Sequence, residues 1–370
     1  MTEPTGPDLS TGPSTGPTAE PADTELPDTE PADTEPADTE GRGVRRVPVE
    51  GGFVAVRDLN PGAAADAPLV LLVHGITANG AAWSVVGAEL ARRHGERVRV
   101  WAPDLRGRAM SRGTTRPAGI DAHVADLAAV LDAARGEAGD ARAAADTADT
   151  GDAHGEAGEV DDRCVLVGHS MGGFVTALAA ATYPSRLRGA VLVDGGFAFP
   201  APAGLDIDAA LTAVIGPAMQ RLSMRFPTPA AYLDFWAAHP AVGPLLRGAH
   251  AGAVRTYLLS DLVPTAQGDY VSSCVADVIR ADGRAILADP EVLGAGRRAL
   301  AEGVPLRFVW AERGLMDEAV GLYDADRIAA LALPEAVEVT GAEGVNHYGV
   351  ILDDAAVTVV VDAIDAALVG

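Results

Sequence analysis

The order of apolar and polar positions separates a first stretch without periodicity, residues 1–43, from a patterned body that begins near Val44. Leu69-Val70-Leu71-Leu72-Val73 is a continuous apolar run closed by His74-Gly75, as a strand buried on both faces requires. Residues 80–92 read as a helix, and Val98 to Trp101 as a second strand closed by Pro103-Asp104. Ile120, Val124, Leu127, Leu131 and Ala134 fall at helical spacing and predict a helix over 120–135 with one buried stripe. Further strands are expected at Cys164–Val167, Ala190–Asp194, Leu306–Trp310 and Val337–Val339, with helices over 171–182 and 348–368. In the last of these Val357, Val360, Val361, Ile364 and Leu368 keep helical spacing through a β-branched run. Strands alternating with helices predict an α/β protein with a parallel sheet covered on both faces.

Two stretches interrupt the alternation. Residues 136–162 are rich in Ala, Asp and Gly and hold nine acids against one arginine, so they are expected to form a low-complexity surface insertion. Residues 197–303 carry helical segments with no clear alternation with strands, and contain eight of the seventeen aromatic residues. A helical, aromatic-rich insertion between two sheet strands is expected to be a lid over the sheet's carboxyl edge, where open α/β sheets bind ligands. Its aromatics, with Met219 and Met224, suggest either an apolar acyl or leaving group or ordinary packing of the lid. The expected organisation is a tail over 1–43, a core over 44–196 and 304–370, and a lid over 197–303.

Charge refines this picture. The net charge of −24 is concentrated in appendages, since residues 1–40 alone hold eleven acids and no base. From Pro21 to Glu40 that segment is built of repeats ending in Asp-Thr-Glu, each with a proline, which prevents a regular helix and marks a solvated disordered tail. An acidic chain of this kind is not expected to bind nucleic acid, which demands clustered positive charge. The chain has no lysine, so Schiff-base chemistry is excluded. Cys164 and Cys274 lack the spacing of a disulfide framework or a metal site, and Cys164 opens an apolar strand as a buried thiol would. Neither a signal-peptide pattern nor an apolar run of about 18 residues is present, so the expected compartment is the cytoplasm, with no membrane span. No cofactor or metal is expected.

The candidate chemistry begins at Gly168-His169-Ser170-Met171-Gly172, a G-x-S-x-G pattern between an apolar strand and a helix. A nucleophilic serine on such a sharp turn needs small neighbours, which Gly168 and Gly172 supply. The base is expected at His347, in the loop between the last strand and the last helix. His74 and His169 belong to turns and are read as structural. For the acid that orients the imidazole, Asp317 is the first choice because it follows the penultimate strand; Asp194 and Glu312 are the alternatives. An oxyanion hole needs two backbone N–H donors. Met171, at a helix N-terminus, is expected to give one, and Ile76, in the early loop His74-Gly75-Ile76-Thr77, the other.

With these motifs in order, the chain resembles the α/β-hydrolase superfamily. The resemblance rests on His74-Gly75 with Trp83, Pro103-Asp104-Leu105-Arg106-Gly107 with Ser111, Gly168 to Gly173, and Asn346-His347, and covers about 44–370. It implies the α/β-hydrolase fold, with a mostly parallel central sheet, and serine chemistry on a small acyl substrate: a carboxylic ester hydrolase first, with lactonase, carbon–carbon bond hydrolase or acyltransferase as alternatives. A non-catalytic ligand-binding protein on the same fold is the other class. Two departures stand out. Many relatives continue Arg-Gly as His-Gly-x-Ser, where this chain has Arg108-Ala109-Met110-Ser111, a difference expected to bear on loop packing. Many also place the acid where this chain has Gly314, three residues before Asp317.

Overall fold

The computed structural model of the protein describes residues 43–148, 161–198, 209 and 219–370, and residues 41–370 form one unit. The expectation for the acidic tail lies almost wholly outside the described residues. The frame is an eight-stranded sheet in the order β1-β2-β4-β3-β5-β6-β9-β10. These strands are β1 (Val44–Val49), β2 (Gly52–Asp58), β3 (Leu69–Val73), β4 (Arg99–Pro103), β5 (Cys164–His169), β6 (Leu187–Val193), β9 (Leu306–Arg313) and β10 (Glu338–Asn346). Strands β3, β4, β5, β6, β9 and β10 pair in parallel, while β2 is antiparallel to both β1 and β4.

Apolar runs with no polar alternation arise because both faces of the central strands are covered. Leu69, Leu71 and Val73 of β3 enter one core with Leu166, Leu192 and Phe308. Val70 and Leu72 enter the other with Val165, Val167, Val191 and Val193. Each such side chain, fully buried, contributes about 1.5–3 kcal/mol. The first core is closed by α2 (Ile120–Ala148) and α3 (Met171–Thr182), the second by α1 (Ser84–His94) and the last helix, Asp354–Val369. In that last helix Val357, Val360, Val361 and Ile364 are all buried, which is why a β-branched run is helical here.

Three features depart from the sequence reading. β1 and β2 were not expected; they form a hairpin at the sheet's edge, turning at Glu50-Gly51. α2 does not end at residue 135 but continues to Ala148, so the first half of the expected 136–162 insertion is helix. An alanine-rich sequence favours helix even without a buried stripe; residues 149–160 lie outside those described. Finally, the stretch between β6 and β9 is not helical throughout, for β7 (Leu262–Pro264) and β8 (Tyr270–Ser272) form a small antiparallel pair. Around them lie α4 (Pro229–Ala237), α5 (Ala251–Leu259), α6 (Ala276–Ala288), α7 (Pro290–Leu293) and α8 (Ala295–Ala301). After β9 come α9 (Ala325–Leu331) and the last helix, α10.

Candidate active site

β5 ends at His169 and α3 begins at Met171, which leaves Ser170 at the turn between them. Its φ of 57° and ψ of −123° are strained for a residue with a side chain, at a cost of order 1–3 kcal/mol. Neighbouring glycines make the turn sterically possible. A Cβ on Gly168 would lie 2.0 Å from the Gly172 carbonyl oxygen, and one on Gly172 would lie 2.1 Å from that of Val73. Gly172→Ala is therefore expected to destabilise the protein by about 1–3 kcal/mol, read as a lower Tm in a circular-dichroism melt. An unchanged Tm would contradict this packing.

The register of β5 on β6 pairs His169 with Val193, so Ser170 and Asp194 follow at the carboxyl ends of adjacent strands. Ser170 N–H donates to the Val193 carbonyl at 2.9 Å, tying the turn to that edge. Asp194 is fully buried, with a φ of 46°. Its Oδ1 accepts the Ala311 N–H at 3.0 Å, and its Oδ2 accepts from His347 Nδ1 at 2.6 Å. A buried carboxylate needs such donors, and here both oxygens have one.

His347 follows β10, where Asn346 turns the chain by accepting the N–H groups of Tyr348 and Gly349 at 3.1 and 3.0 Å. With Nδ1–H given to Asp194, the neutral imidazole leaves Nε2 as an acceptor. The backbone at His347 is also held: His169 Nε2 donates to its carbonyl at 2.9 Å, and the two rings lie 4.5 Å apart between centroids. Burial, then the neighbouring His347, holds the His169 pKa well below the usual histidine value, so that ring is neutral.

Asp317, the first choice for the acid, is not beside His347. It receives Nε and Nη2 of Arg313 at 2.8 and 3.0 Å and the Asn346 side-chain amide at 3.1 Å. Arg313, followed by the Asn346 bond, lowers its pKa. The three residues by which it lies beyond Gly314 put it in a turn that folds back on Arg313, four residues earlier. Glu312 accepts the Gly344 N–H at 2.6 Å and is likewise elsewhere. The carboxylate at the imidazole is that of Asp194. Its signal in the sequence is Asp194-Gly195-Gly196 closing an apolar strand, one step after Val193 pairs with the residue before Ser170.

Ser170, Met171, Ile76, Asp194 and His347 line one cavity of about 290 Å³. Met171 is the first residue of α3, and among the described residues the Ile76 N–H meets no acceptor. The rest of the wall is largely apolar, with Phe174, Phe197, Ile286, Leu287, Leu293 and Leu322. Of the aromatics between β6 and β9, Phe197 and Tyr257 reach this cavity. Phe226, Tyr232, Phe235 and Trp236 pack edge to face on one another instead, and neither Met219 nor Met224 is in the wall. Phe199 lies outside the described residues. Both cysteines are buried, Cys164 with its thiol pushed up to about 12 by burial and Cys274 to about 11. Among the described residues no group of His, Cys, Asp and Glu is arranged to hold a metal, and no helix is long and apolar enough to cross a membrane.

The sequence profile of the alpha/beta hydrolase family matches residues 70–363, which spans the sheet from β3 and every residue of this cavity. The chain belongs to that family. This alpha/beta hydrolase is an enzyme of hydrolase type. Solved structures agree on the fold. A thioesterase domain from the curacin biosynthetic pathway matches at 18% identity and a TM-score of 0.56, over 86% of this chain and 98% of that one. E-2-(acetamidomethylene)succinate hydrolase matches at 23% and 0.58, over 87% and 98%. An alpha/beta hydrolase from Novosphingobium aromaticivorans matches at 21% and 0.55, over 88% and 97%. A search of curated protein sequences gave no match.

Proposed function

We propose that this hydrolase cleaves a carboxylic ester or related acyl substrate through an acyl-enzyme on Ser170, with His347 as base and Asp194 as the orienting acid. The observation that carries the reading is the 2.6 Å bond from His347 Nδ1 to the buried Asp194, in the wall of the cavity that Ser170 shares. Ser170 Oγ attacks the substrate carbonyl as its proton passes to His347 Nε2; the Asp194 carboxylate stabilises the imidazolium that forms. The N–H groups of Met171 and Ile76 receive the negative charge that develops on the carbonyl oxygen. His347 then protonates the leaving group, and water deprotonated by His347 releases the acid and restores Ser170. Neutral His169 adds no like charge beside the imidazolium.

The substrate's acyl or leaving group is apolar on this reading, because the wall presents aliphatic and aromatic side chains and its volume is at the small end of ligand cavities, about 300–1,000 Å³. The stretch 197–303 acts as the lid, supplying Phe197, Tyr257, Ile286, Leu287 and Leu293 to that wall. Two of the structural neighbours are named as a thioesterase domain and as E-2-(acetamidomethylene)succinate hydrolase. The test is labelling by a fluorophosphonate probe, which is expected on the native enzyme and absent in Ser170→Ala. A panel of p-nitrophenyl esters, acyl thioesters, lactones and vinylogous diketones then orders the substrate classes; no labelling and no turnover of any of them would overturn the reading.

A further inference from the structure

Three consecutive carbonyls of the loop behind the cavity are each held by a buried side chain. His74 Nδ1 bonds the Gly75 carbonyl at 2.8 Å. Its Nε2 accepts the Leu105 N–H at 2.9 Å, and burial with the nearby Arg108 charge pushes its pKa down to about 3, so it stays neutral. The Ile76 carbonyl receives both Nε and Nη2 of Arg108, at 3.0 and 2.8 Å. The Thr77 carbonyl receives Nη2 of Arg221 at 3.2 Å. Both guanidinium groups are buried, Arg108 completely, and each has its counter-ion in the stretch between β6 and β9. Asp282 of α6 lies 2.5 Å from Arg108 Nη2 and is also bonded by His123, while Asp261 pairs with Arg221.

We propose that Arg108, neutralised by Asp282, is a positioning residue that sets the oxyanion loop for the acyl chemistry assigned above, on which this inference rests. A peptide plane fixes its carbonyl and the following N–H in opposite directions. His74 therefore sets the plane that ends in the Ile76 N–H, and Arg108 sets the next plane, after Ile76. With both planes flanking Ile76 fixed, its unpartnered N–H is held in one direction, at a residue that lines the cavity with Ser170. A charged, two-pronged donor on one carbonyl is stronger and more directional than a neutral one. The chain accepts a fully buried arginine in order to place it there. This gives a role to the residue that stands where many relatives have histidine, and makes α6 part of the support for the loop as well as of the cavity wall.

The double variant Arg108→Met/Asp282→Asn removes both buried charges together, avoiding an uncompensated carboxylate, and leaves His123 a polar partner. On a p-nitrophenyl ester it is expected to keep KM within about twofold while kcat falls ~10–100-fold, below the 10²–10³ cost of losing an oxyanion donor outright. Affinity for a trifluoromethyl ketone, which adds Ser170 and forms an oxyanion, should fall by the same factor. Affinity for the matching methyl ketone should not change. Arg108→Lys, with one compact donor, should lose less and is the deciding variant if the double one does not fold. A folded variant with unchanged kcat, or one that loses both ketones equally, would overturn the proposal. If the native enzyme neither turns over an ester nor is labelled at Ser170, the fault lies with the hydrolase reading, and the positioning role falls with it.

Discussion

Replacing Ser170 by alanine is expected to reduce turnover by a factor on the order of 10⁶ while leaving the fold intact. The backbone argues for the second half of that statement. Alanine keeps the Cβ that already sits at a φ of 57°, so the strain of the turn is the same in both proteins. What goes is the one hydroxyl at the junction of β5 and α3, in the wall of the cavity that Met171 and His347 also line. Ester turnover and a thermal melt measured together check both halves. Residual turnover above about one-thousandth of the native rate would remove Ser170 from the nucleophile's role.

The second large effect concerns the acid. Asp194→Asn is expected to lower kcat about 10⁴-fold, because the amide can keep the Ala311 N–H on its oxygen only by turning its NH₂ toward His347 Nδ1. The imidazole then carries its proton on Nε2 and cannot take one from Ser170. Asp317→Asn is expected to be nearly silent in kcat, since that side chain serves Arg313 and Asn346 at a partly exposed turn. The opposite ranking of the two variants would restore Asp317 and discard the Asp194 assignment.

Most of the frame was legible because the central strands are buried on both faces, which makes their positions mostly apolar: β3, β5 and β6 are read directly from runs such as Leu69–Val73. As candidates, Ser170 was legible for a steric reason, its two glycines leaving few other uses for that pentapeptide, and His347 because it stands alone after the last strand. The acid was not, because its identity depends on strand order. In sequence Asp194 is 153 residues from His347, and only the pairing of β5 with β6 places it beside Ser170. Edge strand β1 and its hairpin partner β2 were missed since Arg45, Arg46, Glu50 and Arg57 interrupt the apolar pattern, although Gly51-Gly52 marks the turn. Strands β7 and β8 are three residues each, too short to show a period.

On the proposed assignment the carboxylate follows β6, which frees the turn after β9 from the proton chemistry. It still reaches the cavity, through Leu315 and Leu322. Changes of length or composition over residues 314–322 should therefore alter which molecules enter and how they lie, at little cost to the rate on those that fit. For evolution, and equally for a designer seeking a new selectivity, Leu315 and Leu322 in this segment are positions to vary.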